Sequence, residues 1–172
     1  MKKLALTDFA KYRYPSALEL SPDGRYLTFA LKEVDREGDG YRWNLWLYDL
    51  ESRESRQITR GDDQRQAVWE DNTHILYKTT ELDEAMRARG FEEEWTVYHR
   101  LNVCTGEERE AFRLPMSVSG LWKMDEGRYV FTGETHLDRP NLLELTGEAL
   151  EKELVRRQQT KGYKVLTELP LC

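Results

Sequence analysis

The sequence has little cysteine and no long apolar segment. Its 172 residues include two cysteines, Cys104 and Cys172, which allow at most one disulfide. A small fold held together by disulfides is therefore excluded. Two lysines open the chain, but Asp8 ends the apolar stretch that follows them, which is too short for an export signal. No stretch reaches the ~20 apolar residues of a membrane span. We expect a cytoplasmic protein with no membrane partner.

Positive charge is also scarce. The chain carries 26 basic against 32 acidic side chains, for a net charge of −6, and it has no long basic run. A protein that binds nucleic acid needs a basic face to neutralise phosphates, so we expect no nucleic-acid partner. Aromatic residues make up 11% of the chain, which excludes a disordered polypeptide despite the 34% of charged residues.

The common signatures of catalysis and of metal or cofactor binding are missing. There is no Gly-x-Ser-x-Gly nucleophile elbow, and the most similar stretch, Ser-Val-Ser-Gly at 117–120, lacks the first glycine. His99 and Cys104 have four residues between them, but no second pair with zinc-ligand spacing exists, and no glycine-rich phosphate loop precedes a helix. We interpret His74, His99 and His136 as ordinary half-buried residues of strands or loops. We therefore assign no catalytic, cofactor-binding or metal-binding residue and expect no cofactor.

An internal repeat is the main feature that is present. Three segments have the pattern of strand, tight turn and strand rich in β-branched and aromatic residues: 18–29, 67–77 and 121–131. We predict that Gly24, Asn72 and Gly127 occupy the same turn position, with a left-handed backbone.

A second hairpin follows each of the first two segments, at 44–59 and 95–113. Each unit therefore contains four antiparallel strands and recurs every ~50 residues, which is typical of β-propeller blades. The predicted fold class is all-β: an incomplete β-propeller of four-stranded antiparallel blades, about two and a half in number, with short helical insertions.

The repeat divides the chain into three parts. Blade one covers 1–60, blade two covers 61–114 with an insertion near 81–94, and a partial blade three covers 115–172 with a helical insertion near 147–160. The helix at 148–159 is predicted from a cap at Thr146 and charge pairs at i,i+4, such as Glu153 with Arg157. Its apolar stripe consists of Ala149, Leu150, Leu154 and Val155. Another strand is predicted at 163–169.

Too few blades are present to close a ring, because propellers need ~4–8 of them. We interpret the chain as the front portion of a longer protein. It could instead complete a ring by oligomerising, or be an unstable relic.

The order of three stretches carries a family resemblance: Leu-Ser-Pro-Asp-Gly-Arg-Tyr at 20–26, Asn-Leu-Trp-Leu-Tyr-Asp-Leu at 44–50 and Arg-Gln-Ile-Thr-Arg-Gly at 56–61. This combination resembles the N-terminal propeller of prolyl oligopeptidase-type serine peptidases, in particular the bacterial dipeptidyl aminopeptidase/acylaminoacyl-peptidase group. The resemblance implies a propeller that limits the access of peptides to a Ser-Asp-His triad in an α/β-hydrolase domain. That hydrolase domain is missing from this sequence.

The resemblance also points to one substrate-binding candidate. In the dipeptidyl-peptidase branch, a glutamate pair in a propeller insertion binds the free amino group of the substrate, and Glu92 and Glu93 match that description. The alternative is a solvated acidic face preceding the strand at Trp95. We expect the five tryptophans to pack between blades, with a ligand platform as the less favoured interpretation.

The expected function is therefore that of a non-catalytic N-terminal propeller segment of a serine peptidase, which gates substrate access. Its partners would be a peptide substrate in the parent enzyme and the missing hydrolase domain, or further copies that associate through open blade edges. The alternative is a stand-alone propeller-type module that binds proteins and oligomerises. A third interpretation is a small-molecule site in a channel lined by tryptophan.

Overall fold

The computed structural model describes residues 8, 11–35, 40–61, 63–91, 93–125, 127–134 and 139–160. The predicted strand at 163–169, His136, Glu92 and Cys172 lie outside the described residues. Ten strands, two α-helices and a 3₁₀ turn at Leu142–Glu144 follow one another along this part of the chain. The elements are β1 (Tyr14–Leu20), β2 (Tyr26–Asp35), β3 (Gly40–Asp49), β4 (Glu54–Gln57), β5 (Ala67–Trp69), β6 (His74–Leu82), α1 (Glu84–Arg87), β7 (Glu94–Asn102), β8 (Glu108–Leu114), β9 (Val118–Lys123), β10 (Tyr129–Gly133) and α2 (Gly147–Thr160).

The strands form three antiparallel sheets in chain order. The first sheet is β1-β2-β3-β4, the second is β5-β6-β7-β8, and the third is the hairpin β9-β10. Each four-stranded sheet is a meander, so every strand pairs with its sequence neighbour. The expected all-β architecture of four-stranded antiparallel units is thereby confirmed, and in the described part of the chain the three sheets form an open arc.

Two apolar cores lie between the sheets. The core between the first and second sheets consists of Ala30, Leu45, Leu47, Ala67, Trp69, Ile75, Tyr77, Leu101 and Val103. The core between the second and third sheets consists of Leu76, Tyr98, Val118 and Leu121. Ile75 and Leu76 are adjacent and belong to different cores, because successive side chains of a strand point to opposite faces. The second sheet is therefore apolar on both faces, and each neighbouring sheet covers one of them.

Polar contacts to main-chain carbonyls also join the sheets. The indole nitrogen of Trp69 donates to the carbonyl of Glu19 in the first sheet, at 3.1 Å. Lys78 of the second sheet donates to the carbonyl of Val118 in the third. These bonds satisfy carbonyl groups in the strands that line the interfaces, where an unpaired polar group would cost about 1–3 kcal/mol.

A half-buried carboxylate links the second and third sheets. Glu70 forms an ion pair with Arg100 and accepts a 2.6 Å hydrogen bond from the hydroxyl of Tyr129. Burial opposes ionisation of Glu70, but the bonds from Arg100 and Tyr129 outweigh it and lower the pKa of the carboxyl. Burial and the bond to Glu70 raise the pKa of Tyr129 to about 12. The carboxylate therefore stays ionised and holds the third sheet on the second.

The first hairpin turns differ from the prediction. Gly24 and Gly127 have φ angles of +72° and +76°, whereas Asn72 does not have a positive φ. Asn72 is the third residue of the turn 70–74, and Gly127 is the fourth residue of the turn 124–128. The prediction that the three residues share one position is wrong, because strand pairing places Asn72 and Gly127 one residue apart in turns of equal length.

An aspartate is the residue that recurs in these turns. In each of the three hairpins, an aspartate lies four residues before the first paired residue of the second strand: Asp23, Asp71 and Asp125. The carboxylate of Asp71 accepts hydrogen bonds from the amides of Thr73 and His74, both at 2.8 Å. These bonds outweigh the effect of burial and lower the pKa of Asp71 to about 2. Asp71 thereby satisfies amides that the reversing chain leaves without a strand partner.

The turns between third and fourth strands share another conformation. The side chains of Asp49 and Asn102 each accept a hydrogen bond from the amide two residues later, at 2.8 and 2.9 Å. Four residues after each of them the backbone is left-handed, with φ +60° at Arg53 and +77° at Gly106. The first turn thus places a bulky residue where the second has glycine.

The described residues contain two α-helices, α1 and α2. None of those in the described ranges combines the length and hydropathy that a membrane-crossing segment requires.

The left-handed positions give a matched pair of stability predictions. Gly106→Ala should lower the free energy of unfolding by about 1 kcal/mol, because a Cβ is strained in this conformation although no atom lies within 4 Å of it. Arg53→Gly should leave that free energy unchanged or raise it slightly, since glycine relieves the strain. Urea unfolding of both variants measures the two values. Equal losses in the two variants would contradict this account.

Candidate functional site

A cavity of about 400 Å³ lies where the second and third sheets meet the segment that leads into α2. Its lining residues are Glu93, Glu94, Pro115, Met116, Ser117, Glu134, Arg139, Pro140, Asn141 and Arg157. Three carboxylates and two guanidinium groups therefore face the same space. A lining of this kind suits a polar or charged ligand with hydrogen-bond donors.

The insertion between β6 and β7 places Glu93 at the cavity. Asp83 caps α1 by accepting a hydrogen bond from the amide of Met86, at 3.0 Å, and also accepts one from the indole nitrogen of Trp95, at 3.0 Å. The amide of Asp83 donates to the carbonyl of Glu93, at 2.8 Å. One aspartate thus closes the insertion at both ends and sets where Glu93 stands.

Helix α2 packs on this insertion. Leu142 and Leu154 are buried against Met86 of α1, and Leu150 packs at the edge of the same cluster. Val155, which the sequence pattern places in the apolar stripe, is 51% exposed. Arg89 and Glu151 join the insertion to the helix by an ion pair of 2.7 Å.

Arg157 is the central cation of the site. Its guanidinium forms ion pairs with Glu93, at 2.8 Å, and with Glu153, at 3.0 Å, and donates to the carbonyl of Pro140, at 2.6 Å. The hydrogen bond from Arg156 and that from Arg157 hold the pKa of Glu153 at about 2. The i,i+4 pair expected in this helix is present, and it orients Arg157 toward the cavity.

The predicted glutamate pair is only partly described. Glu93 lines the cavity and is half-buried, but its carboxylate is paired with Arg157. Glu94 and Glu134 line the same cavity. The run of three consecutive glutamates pointed to this region, whereas nothing in the sequence indicated that Arg157 or Glu134 would lie beside them. They are 64 and 41 positions away from Glu93 (157 − 93 and 134 − 93), and the fold brings them together.

His99 has the most structured surroundings of the two described histidines. Its Nε2 lies 3.0 Å from the hydroxyl of Thr79, and its Nδ1 lies 3.3 Å from a carboxylate oxygen of Glu108. The ring stacks on Tyr77 with 5.4 Å between centroids. The order hydroxyl, imidazole, carboxylate is that of a hydrolytic triad. The three residues lie on the face of the second sheet that packs toward the first, whereas Ser117 lies in the segment between β8 and β9.

His74 is bound to its own turn. Its Nδ1 lies 3.0 Å from the carboxylate of Asp71, and its Nε2 lies 3.2 Å from the amide of Asn102. Both rings therefore have partners within the blade. In the described ranges no group of three or more histidine, cysteine, aspartate or glutamate side chains is arranged to hold a metal ion.

The tryptophans have different surroundings. Trp69 packs between the first two sheets and stacks on Tyr26. Trp46 stacks on Phe29, and Trp122 is 49% exposed. The expectation that all five pack between blades is therefore wrong for Trp46 and Trp122, because no described sheet covers the face of the first sheet that carries Trp46 or the face of the third sheet that carries Trp122.

No family model matches the sequence, and no curated protein matches it. Among solved structures, the chain is similar to the β-propeller domain of the Trilobed protease from Pyrococcus furiosus, which has an open velcro topology. The TM-score is 0.51 and the identity 14%, over 72% of this chain and 34% of that one. It is also similar to an acylaminoacyl peptidase from Pyrococcus horikoshii, with a TM-score of 0.49 and 13% identity over 67% of this chain and 16% of that one.

The similarity to the propeller domain bears on the fold. The chain spans about a third of the propeller domain that it matches. Together with the two four-stranded sheets and the third hairpin, the likeness to that domain confirms the predicted fold class: the described residues form an incomplete β-propeller.

The ion pairs of Glu153 predict a pH dependence. The pKa of this carboxyl is lowered on folding, so the ionised form stabilises the fold above the ordinary value of 4.5, and this stabilisation is lost as the pH falls toward 2. Glu153→Gln should therefore reduce the loss of thermal stability between pH 5 and about pH 2. Glu148→Gln, at an exposed position of the same helix, is the matched control and should leave the loss unchanged. Equal pH profiles for wild type and Glu153→Gln would contradict the assignment.

Proposed function

We propose that the chain is a non-catalytic propeller segment of a serine peptidase of the dipeptidyl or acylaminoacyl-peptidase type, and that it limits the access of peptides to a hydrolase domain outside this sequence. The observation that carries the proposal is the open arc of four-stranded sheets, which has the fold of a protease propeller domain. The motif order at 20–26, 44–50 and 56–61 supports it.

The hydrolase domain and the propeller segment would have different roles. The hydrolase domain would supply the serine nucleophile and the histidine that activates it for acyl transfer. The arc would supply a wall of stacked sheets whose position is held by apolar cores and by the Glu70–Arg100 ion pair. A wall of this kind selects substrates by size, because a folded protein does not pass where a short peptide does.

The cavity would bind the amino end of the substrate peptide. An ammonium group donates three hydrogen bonds and suits a lining with several carboxylates. Glu92 and Glu93 remain the proposed contacts. Since Glu93 also pairs with Arg157, an incoming ammonium would share Glu93 with that guanidinium, and Glu94 and Glu134 lie close enough to contribute.

A second candidate function is a propeller-type module that binds protein partners and oligomerises. The apolar surface of the third sheet favours it, where Trp122 and Val130 are 49% and 48% exposed. In this case the chain would act without a hydrolase domain.

A peptidase assay tests the first proposal. The purified chain should not hydrolyse dipeptidyl or acyl-aminoacyl chromogenic substrates, because it lacks a serine nucleophile elbow. Turnover that a serine-directed inhibitor abolishes would overturn the proposal. Turnover that His99→Asn abolishes and His74→Asn preserves would show instead that the Thr79, His99 and Glu108 group is itself catalytic.

A further inference from the structure

The guanidinium of Arg157 contacts three partners through three different nitrogen atoms. Its Nη1 donates to the carboxylate of Glu93, its Nε to that of Glu153 and its Nη2 to the carbonyl of Pro140, at 2.8, 3.0 and 2.6 Å. The side chain of Arg157 is 18% exposed, so water contributes little to satisfying its charge. If Arg157 released Glu93, it would still have Glu153 and the carbonyl as partners. The contact with Glu93, which lines the cavity, is therefore the ion pair that a ligand can take over.

Opening this ion pair requires a replacement for each of its two charges. A charged group that loses its partner in a half-buried site is more costly than a lost neutral hydrogen bond. A ligand with only an ammonium group would satisfy Glu93 and remove a partner from Arg157, and a ligand with only a carboxylate would do the reverse. A zwitterion brings both charges, so it can enter between the two side chains and give each an oppositely charged partner.

Other charged side chains of the cavity suit both ends of such a ligand. Within the described ranges the carboxylates of Glu94 and Glu134 form no ion pair, so they can accept further hydrogen bonds from an ammonium group. The guanidinium of Arg139 lines the same space as that of Arg157, and this group matches the two oxygens of a carboxylate. The volume of about 400 Å³ is near the lower end of the ~300–1,000 Å³ of small-molecule sites, which suits a ligand of one or two amino acids.

We infer that the cavity binds a short zwitterion, a free amino acid or a dipeptide, with its ammonium group on Glu93 and its carboxylate on Arg157. The inference rests on the proposed assignment of the cavity to an amino end, and it adds a partner for the opposite end of the ligand. Arg157 is then the residue that determines specificity. It disfavours amines without a carboxylate, because they compete with its guanidinium for Glu93, and it favours molecules whose two charged ends reach both side chains. A dipeptide released by a peptidase belongs to this class.

Alanyl-alanine and its blocked forms test the two ends of the ligand separately. Isothermal titration calorimetry of the purified chain at low ionic strength should show that alanyl-alanine binds. N-acetyl-alanyl-alanine lacks the ammonium group and alanyl-alanine amide lacks the carboxylate. Each should bind ~10-fold more weakly or worse, because a factor of ten corresponds to ~1.4 kcal/mol, about the contribution of one hydrogen bond to a charged group.

Variants of Arg157 separate recognition of the carboxylate from a general effect of charge. In Arg157→Gln the preference for alanyl-alanine over its amide should fall by ~5-fold or more, and the amide should bind more tightly than to the wild type, because Glu93 is then open to any amine. Arg157→Lys keeps the charge and should retain part of the preference. Lys152→Gln removes an equal charge from an exposed position of the same helix and should keep the full preference. Circular dichroism confirms that each variant is folded.

Three results would overturn the inference: no binding of alanyl-alanine, an amide that binds the wild-type chain as tightly as alanyl-alanine does, or an unchanged preference in Arg157→Gln. If the amide binds equally well and the N-acetyl form binds weakly, the amino-end assignment of the proposed function stands and only the carboxylate partner is wrong. If the N-acetyl form binds as tightly as alanyl-alanine, the amino-end assignment itself is wrong. The two failures can therefore be told apart, and the peptidase assay does not depend on either.

Discussion

The fold depends on the covering of two-faced sheets. Each blade carries apolar side chains on both of its faces, so a blade is stable only when a neighbour covers each face. The second sheet has both neighbours, and its central residues Ile75 and Leu76 are 0% and 1% exposed. The first and third sheets each have one described neighbour, and their outer faces carry the exposed Leu20, Trp122 and Val130. The same requirement explains the cores and the uncovered surfaces.

Polar contacts define how the stacked sheets align. Apolar packing is non-directional, so it does not by itself fix how far one sheet slides along another. The bond from Trp69 to the Glu19 carbonyl and the Glu70, Arg100 and Tyr129 group are directional, and each joins two particular strands. They give the arc a defined geometry.

The cavity is built on additions to the repeat. Blade two carries the α1 insertion between its second and third strands, and the segment after β10 adds α2. Their apolar cluster around Leu154 and Met86 brings the guanidinium of Arg157 to the carboxylate of Glu93. The insertion and α2 thereby bring charged groups together at one edge of the arc. Binding sites are often formed in this way, by segments added to a scaffold of regular elements.

The sequence by itself determined the order of the strands and the four-stranded unit that recurs along the chain, because alternation with period two and recurring turns are local signals. The prediction that Asn72 and Gly127 are equivalent turn residues was wrong by one position. Strand pairing decides which turn positions are equivalent, and by that pairing the recurring turn residue is an aspartate. Only the tertiary structure decided that Glu93 meets Arg157, that Thr79, His99 and Glu108 lie together, and that Trp122 is uncovered. These contacts join residues far apart in the chain, and their formation depends on how sheets and insertions pack, which no local pattern encodes.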